Sequence, residues 1–248
     1  MAPPLLALPA SPGVRLAPAS VRALGAARRG DLLRRAFPGA ALAVGQGRNS
    51  VLERGLGRLT WTEGEVDPAA TLYDLASLTK VVATTTAVML LVEDGRMALD
   101  APVSRYLPEF AGGARGRVTV RHLLAHTSGL PAGSGARTLA GLLRTPLRAA
   151  PGSRVVYSDV NMVVLFAAAE RVAGEPIPAL LRRRVWEPLG MTATGFEPGA
   201  GCARCAPTAR SASFRGRVHD PIARRLGGVA GNAGLFSTAH DLAVLART

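Results

Sequence analysis

Ser77, Leu78, Thr79 and Lys80 form an S-x-x-K sequence, in which a serine precedes a lysine by three positions. On a helix this spacing places the hydroxyl and the amine on one face, close enough for a hydrogen bond. A serine hydroxyl is a weak nucleophile at neutral pH and requires an adjacent base. A lysine amine supplies such a base when burial or nearby positive charge lowers its pKa. The spacing therefore predicts nucleophilic catalysis, with Ser77 as the nucleophile and Lys80 as its general base.

Lys80 is the one lysine of the chain, because the other 29 of its 30 basic residues are arginines. An arginine keeps its proton at any useful pH, whereas a desolvated lysine can act as a base. Chance survival of one lysine is the alternative explanation, since S-x-x-K alone is a common sequence. The position of the pair at the start of a long apolar helix favours catalysis. There the backbone N–H of Ser77 is also placed to form half of an oxyanion hole.

A second group of residues that could take part in catalysis is Tyr157-Ser158-Asp159, which begins 80 residues after Ser77. It lies between a Pro151–Gly152 turn and a segment with helical periodicity. A tyrosine at such a junction between loop and helix can direct its hydroxyl into a cleft. Taken alone, an ordinary half-buried tyrosine is the simpler interpretation.

Three other patterns resemble ligand sites, but their surroundings do not support that function. His122 and His126 have a spacing that can bind zinc, yet no glutamate stands between them as in H-E-x-x-H. Cys202 and Cys205 form a C-x-x-C without a second pair, so a loop disulfide or two free thiols is expected. The glycines of Gly228–Gly234 resemble a phosphate-binding loop, but no Gly-Lys-Ser/Thr follows them. A tight turn near the cleft is therefore expected. We therefore expect no metal and no cofactor.

The composition predicts a soluble globular protein with no nucleic-acid partner and no stable membrane span. Hydrophobic residues make up 48% of the 248 positions, which is enough for a substantial core. The net charge is +13, but the arginines are scattered and aromatic residues reach only 4%, which is typical of a solvated surface. The longest apolar run, residues 81–92, contains threonines and is shorter than the roughly 20 residues that span a bilayer. The sequence leaves the oligomeric state open.

Helices dominate the elements that must position these residues. Periodicity and boundary signals predict helices over Arg22–Phe37, Ser77–Glu93, Val118–His126, Asn161–Val172, Ile177–Val185 and Asp241–Leu245. Two strands, Ala40–Gln46 and Val51–Leu59, form a plausible hairpin. A hairpin alone is marginal in water, and the helices need a larger sheet to pack on. We therefore expect the remaining strands to lie beyond Thr248.

Four ordered blocks of this sequence resemble the serine β-lactamase and penicillin-binding-protein superfamily, closest to its class C-like branch of β-lactamases, esterases and D-amino-acid peptidases. The blocks are YDLASLTK at Tyr73–Lys80, HLLAHTSGLP at His122–Pro131, YSD at Tyr157–Asp159 and GVAGNAGLFST at Gly228–Thr238. The resemblance runs from about Pro38 to Thr248.

This resemblance implies an α+β fold, with a helical subdomain beside an antiparallel sheet flanked by helices and the site at their junction. It implies Ser77 as the acylated nucleophile, Lys80 as its base and Tyr157 as a second acid/base that serves the leaving group and the deacylating water. We expect residues 1–20 to be a disordered tail. Residues 21–248 are expected to form one β-lactamase-like hydrolase domain, incomplete at its C-terminus.

Two departures from the family pattern limit what the resemblance implies. Asp159 stands where class C β-lactamases usually have asparagine, so a donor to the substrate carbonyl becomes an acceptor, and turnover of β-lactams loses support. Asp159 stays a candidate substrate-binding residue. No K-T-G or H-T-G triad follows Phe236. In the resembled family, the edge strand that carries this triad supplies the second N–H of the oxyanion hole.

The expected function is hydrolysis of a small or peptide-like ester, amide or lactam through an acyl-enzyme. A non-catalytic pseudoenzyme or truncated binding module on the same scaffold is the alternative. The family resemblance is compatible with a periplasmic or secreted protein, but the first residues form no clear signal peptide, so the location stays open.

Overall fold

The computed structural model describes residues 37–208 and 214–248. The expected N-terminal tail and nearly all of the helix predicted over Arg22–Phe37 lie outside the described residues. The predicted hairpin is confirmed: strand β1 (Gly39–Gln46) pairs antiparallel with β2 (Asn49–Gly57). Its turn uses Gly47 with a φ of 56°, a left-handed conformation that glycine adopts without steric cost.

A second, three-stranded sheet was not predicted. It consists of β3 (Tyr73–Asp74), β4 (Gly195–Phe196) and β5 (Leu235–Ser237). Strand β5 is central and runs antiparallel to both neighbours. Strands of two or three residues are too short to show the alternation that identifies a strand in a sequence. This sheet matters for function because β3 leads directly into the Ser77 segment.

The helix predicted over Ser77–Glu93 is present: Leu78 and Thr79 are already helical, a π-helical segment follows at Lys80–Thr85, and the helix continues as α1 (Thr86–Glu93). The hydroxyl of Thr86 donates to the Val81 carbonyl at 3.0 Å, across the wider turn of that segment. Segments of π-helix occur frequently at functional sites. The helix ends at Asp94 and Gly95, as predicted, with Gly95 at a φ of 69°.

The other helices of the described residues follow α1 in chain order. They are α2 (Val120–Leu124), α3 (Leu139–Leu143), α4 (Asp159–Ala173), α5 (Ile177–Leu181), α6 (Glu187–Leu189), α7 (Pro221–Arg225) and α8 (Ala239–Ala246), with a π-helical segment at Arg182–Trp186 and short 3-10 helices at Val103–Arg105, Pro108–Phe110 and Gly113–Arg117. The predicted helices near α2, α4, α5 and α8 are confirmed. The sequence did not indicate α3, α6 and α7, which have five residues or fewer.

The main core forms around α4, which packs on α1, α2, α3 and α5. Large side chains such as Phe110 and Trp186 are fully buried there. Burial of each such side chain contributes roughly 1.5–3 kcal/mol, so this cluster is the main source of stability. A loop, Gly228–Gly234, lies on α4 so closely that a Cβ on Gly231 would be 2.1 Å from the Met162 carbonyl oxygen. Across the described ranges, no helix has both the length and the apolar character needed to cross a bilayer.

Candidate active site

Ser77 is exposed at a sharp turn between β3 and the π-helical segment. The residue before it, Ala76, has a φ of 46°, which is uncommon for a residue with a side chain. Two hydrogen bonds hold the turn: the Asp74 carboxylate accepts from the Ala76 N–H at 2.9 Å, and the Leu75 N–H donates to the Leu235 carbonyl at 2.9 Å. The strained backbone therefore carries Ser77 away from the sheet into solvent.

The amine of Lys80 is buried directly behind Ser77, with the residue only 4% exposed. Its Nζ lies 2.9 Å from Ser77 Oγ and 3.0 Å from the carbonyl oxygen of Asn232. The third neighbour is Asp159, whose Oδ1 is 2.7 Å away. The predicted contact between Ser77 and Lys80 is thus present.

These three neighbours satisfy the amine in either protonation state. An ammonium has three N–H donors, one for each oxygen. A neutral amine has two, which Asn232 and Asp159 can accept, and its lone pair then accepts the hydroxyl proton of Ser77. The same arrangement can therefore hold the proton that Ser77 loses and return it later.

Tyr157 completes the group. The centroid of its ring lies 5.0 Å from Lys80 Nζ, and the residue is 55% exposed. The structure therefore brings together all four residues singled out in the sequence, Ser77, Lys80, Tyr157 and Asp159. The contact between Asp159 and Lys80 was not anticipated.

His126, which in the sequence is only half of a weak zinc-binding pattern, lies beside the site. Its ring packs on Tyr157, with centroids 4.7 Å apart and planes inclined by 40°. Its Nδ1 lies 3.1 Å from the Ser158 N–H nitrogen and 3.1 Å from Asn161 Nδ2. Burial and the charge of Lys80 lower the pKa of His126, while Asp159 acts in the opposite direction. In the sequence, the only indication that His126 lies near the site is its place in the HTSGLP block, which is one of the four blocks that resemble the family.

Buried polar side chains connect that block to the start of α4. Ser128, Ser158 and Asn161 are fully buried, and the Ser128 hydroxyl donates to Asn161 Oδ1 at 2.5 Å. The Ser158 hydroxyl donates to the Pro131 carbonyl at 2.6 Å and caps α4 by accepting from the Asn161 N–H. Because buried polar groups without partners are costly, this network fixes the segment that carries Tyr157.

The loop Gly228–Gly234 supplies the carbonyl that faces Lys80. The Thr84 hydroxyl donates to the Gly231 carbonyl at 2.8 Å. The side-chain amide of Asn232 donates to Asp220 at 2.9 Å. Gly234 has a φ of 113°, and a Cβ there would meet the Gly228 carbonyl oxygen at 2.2 Å. The tight turn predicted for these glycines is present beside the cleft.

The backbone N–H of Ser77 is available for a substrate oxyanion. Within residues 37–208 and 214–248, no acceptor receives a hydrogen bond from it. One N–H is half of the usual pair that stabilises a tetrahedral intermediate.

The histidine pair and the C-x-x-C pair, two of the three patterns that resemble ligand sites, have structural roles. Cys202 and Cys205 form a disulfide, which is one of the two expected states. His122 accepts from the Thr119 N–H at 3.2 Å and so belongs to the cap of α2. In the part of the chain that the structure describes, no cluster of three or more histidine, cysteine or acidic residues is suited to a metal ion.

Known proteins resemble this chain in sequence and in fold. A protein of Escherichia coli K12 named "Putative D-alanyl-D-alanine carboxypeptidase" is 36% identical, with 72% of this chain and 50% of the relative aligned. The class C beta-lactamase of Rhodobacter sphaeroides superposes with a TM-score of 0.75 at 26% identity, covering 90% of this chain and 64% of its own. A D-alanine carboxypeptidase of Burkholderia cenocepacia gives a TM-score of 0.76 at 25% identity, covering 92% and 64%.

The chain spans about half the length of the E. coli relative that it matches. The likeness to both solved structures confirms the expected α+β fold of helices and antiparallel sheets. A model of the family described as Beta-lactamase matches residues 19–248, which include every residue of the site. The chain therefore belongs to the beta-lactamase family.

Proposed function

We propose that Ser77 is the nucleophile of a serine hydrolase that cleaves an amide, lactam or ester through an acyl-enzyme. The observation that carries the proposal is the 2.9 Å contact between the exposed Ser77 hydroxyl and the buried Lys80 amine. A buried amine that also contacts a carboxylate and a carbonyl is held in one position, so it can take the serine proton without rearrangement.

The reaction follows from these positions. Lys80 takes the hydroxyl proton as Ser77 Oγ bonds to the substrate carbonyl carbon, and the Ser77 N–H donates to the oxyanion. The phenol of Tyr157 protonates the leaving nitrogen or oxygen as its bond to that carbon breaks. The phenolate then takes a proton from water, and the resulting hydroxide attacks the acyl carbon. The bond to Ser77 Oγ breaks, and Lys80 returns the proton.

The substrate class follows from the relatives and from Asp159. The carboxypeptidase and β-lactamase names of the relatives support small or peptide-like amides and lactams. Asp159 mostly accepts hydrogen bonds, whereas an asparagine can donate to a substrate carbonyl. We therefore place peptide and ester substrates ahead of β-lactams.

The second candidate is a non-catalytic member of the family that uses the scaffold for binding. It is favoured by one observation: Ser77 contributes a free N–H, but no partner donor for an oxyanion is identified in the described segments. A binding protein would retain the contact between Ser77 and Lys80 and form no covalent adduct.

Labelling with a fluorophosphonate separates the two candidates. The hydrolase is expected to gain one adduct on the tryptic peptide that contains Ser77, detected by mass spectrometry. Ser77→Ala should abolish the adduct. Lys80→Arg should abolish it as well, because the guanidinium keeps the positive charge but cannot accept a proton. An unlabelled wild-type chain, or labelling that persists in Ser77→Ala, contradicts the proposed function.

A further inference from the structure

We infer that His126, through an unprotonated Nδ1, is a positioning residue that holds the Tyr157 phenol beside Lys80. The inference rests on the proposed function, which gives Tyr157 its role as acid and base. It adds a residue whose effect on the reaction would pass through Tyr157.

The backbone at His126 supports this inference. His126 follows the cap of α2 with a φ of 57°, at a position where glycine is usually preferred. Its carbonyl accepts from the Val156 N–H at 2.8 Å, and its Nδ1 accepts from the Ser158 N–H at 3.1 Å. His126 thus holds the residues on both sides of Tyr157.

The ring of His126 restrains the Tyr157 side chain itself. Because Tyr157 is 55% exposed, its ring has less protein packing than a core side chain. The His126 ring lies 4.7 Å from it, and the Lys80 Nζ lies 5.0 Å from its centroid. Removal of the imidazole would leave the phenol free to rotate away from the amine.

The hydrogen bonds also determine where the His126 proton resides. A backbone N–H can only donate, so Nδ1 must be unprotonated to accept from Ser158. Asn161 presents its amide N–H₂ to the same atom, since its Oδ1 already accepts from Ser128. A proton on Nδ1 would face two donors. The neutral ring, with its proton on Nε2, is the form that fits.

This arrangement predicts a loss of positioning at acidic pH. The titratable groups near His126 are Lys80 and Asp159, with the Tyr157 phenol against the ring. Burial and Lys80 lower the pKa of His126 from 6.5, and Asp159 partly offsets them. The contact with Tyr157 is therefore intact above that lowered pKa and lost below it.

The first test is independent of catalysis. The chain has three tyrosines, so the ring signals of a ¹³C-tyrosine sample can be assigned with Tyr157→Phe. We expect the Tyr157 signals to shift with pH at a midpoint below 6.5 that matches the titration of the His126 ring. His126→Asn should abolish that shift, since asparagine tolerates a positive φ and keeps an acceptor but has no ring. Tyr157 signals that do not follow His126 overturn the inference.

The second test is kinetic. For His126→Asn we expect kcat to fall roughly 10- to 100-fold with little change in KM, because a displaced acid or base slows the chemical step. The decline of kcat at acidic pH that follows His126 should disappear as well. His122→Asn is the matched control: the same substitution is made in the α2 cap, and kcat and its pH profile should be unchanged.

The two proposals fail in different ways. Hydrolysis by the wild type together with an unchanged kcat and pH profile in His126→Asn contradicts the positioning role alone. Coupled titration of His126 and Tyr157 without acylation of Ser77 supports the positioning contact and contradicts the proposed function.

Discussion

Asp159 Oδ1 lies 2.7 Å from Lys80 Nζ, so the carboxylate at the start of α4 is the counter-ion of the one lysine in the chain. The lysine side chain is 5% exposed and the aspartate 28%, which shields the pair from most of the solvent. A buried charge that loses its partner is costly.

Asp159→Asn tests this pair. The substitution preserves the shape of the side chain but removes the negative charge, so the free energy of unfolding should fall by about 1–3 kcal/mol at neutral pH. Urea denaturation measures the change. Asp100→Asn is the control, because Asp100 pairs with Arg121 on the exposed surface and its loss should have little effect. Equal effects of the two substitutions would contradict a special role for the buried pair.

Gly231→Ala tests the close approach of the glycine loop to α4. A Cβ at this position would lie 2.1 Å from the Met162 carbonyl oxygen, so the loop must move away from the helix. We expect a loss of about 1–3 kcal/mol in unfolding free energy. Labelling of Ser77 should slow as well, because the neighbouring Asn232 carbonyl withdraws from Lys80. Gly133→Ala, where nothing lies within 4 Å, should leave both measurements unchanged.

The pH dependence of stability tests the contact between the hairpin and α8. His240 Nδ1 lies 2.9 Å from Glu53 Oε2. Partial burial alone would raise the pKa of Glu53, but hydrogen bonds with His240 and Ser50 lower it below 4.5. A carboxyl with a lowered pKa stabilises the fold above 4.5, and this contribution is lost as the pH falls through the lower value.

Glu53→Gln should therefore flatten the fall in unfolding free energy between about pH 5 and pH 3. Urea melts at several pH values measure this slope. Glu63→Gln, at an exposed loop position, is expected to retain the wild-type slope. A wild-type slope in Glu53→Gln would mean that this contact makes no contribution.

Reduction of the disulfide tests the segment that borders β3. Cys205 is fully buried, and the adjoining residues pair with Leu72, which accepts from the Ala206 N–H at 2.9 Å. The bridge closes a very short loop, so its stabilisation should be modest, about 2 kcal/mol. Thermal unfolding with dithiothreitol should show a lower Tm. The Cys202→Ala/Cys205→Ala chain should show no response to the reductant.

The pairing of Ser77 with Lys80 was predictable because its signal is local, whereas Tyr157 was assigned only through the family resemblance. The Ser77–Lys80 spacing specifies a contact within one helical turn, and the helix that follows has a continuous apolar pattern. The β1–β2 hairpin joins neighbouring segments and was recognised for the same reason. Contacts between residues close in sequence can be predicted because they do not depend on how distant segments pack.

The parts that escaped prediction depend on distant residues. Strand β5 joins β3 and β4 across long stretches of sequence, and none of the three strands is long enough to show a period. The ring contact between His126 and Tyr157 and the ion pair of Asp159 with Lys80 arise only when α2, α4 and the π-helical segment pack together. No spacing within the sequence encodes these distances.

The oxygen atoms around Lys80 come from Ser77, Asp159 and Asn232, which lie in three widely separated stretches of the chain. A partly folded intermediate in which one stretch is undocked would leave the Lys80 amine without one of its hydrogen-bond partners, and such a state is penalised. Assembly of this centre is therefore coupled to cooperative completion of the tertiary structure. Acylation of the chain would report on the native state alone, and not on collapsed or misdocked forms.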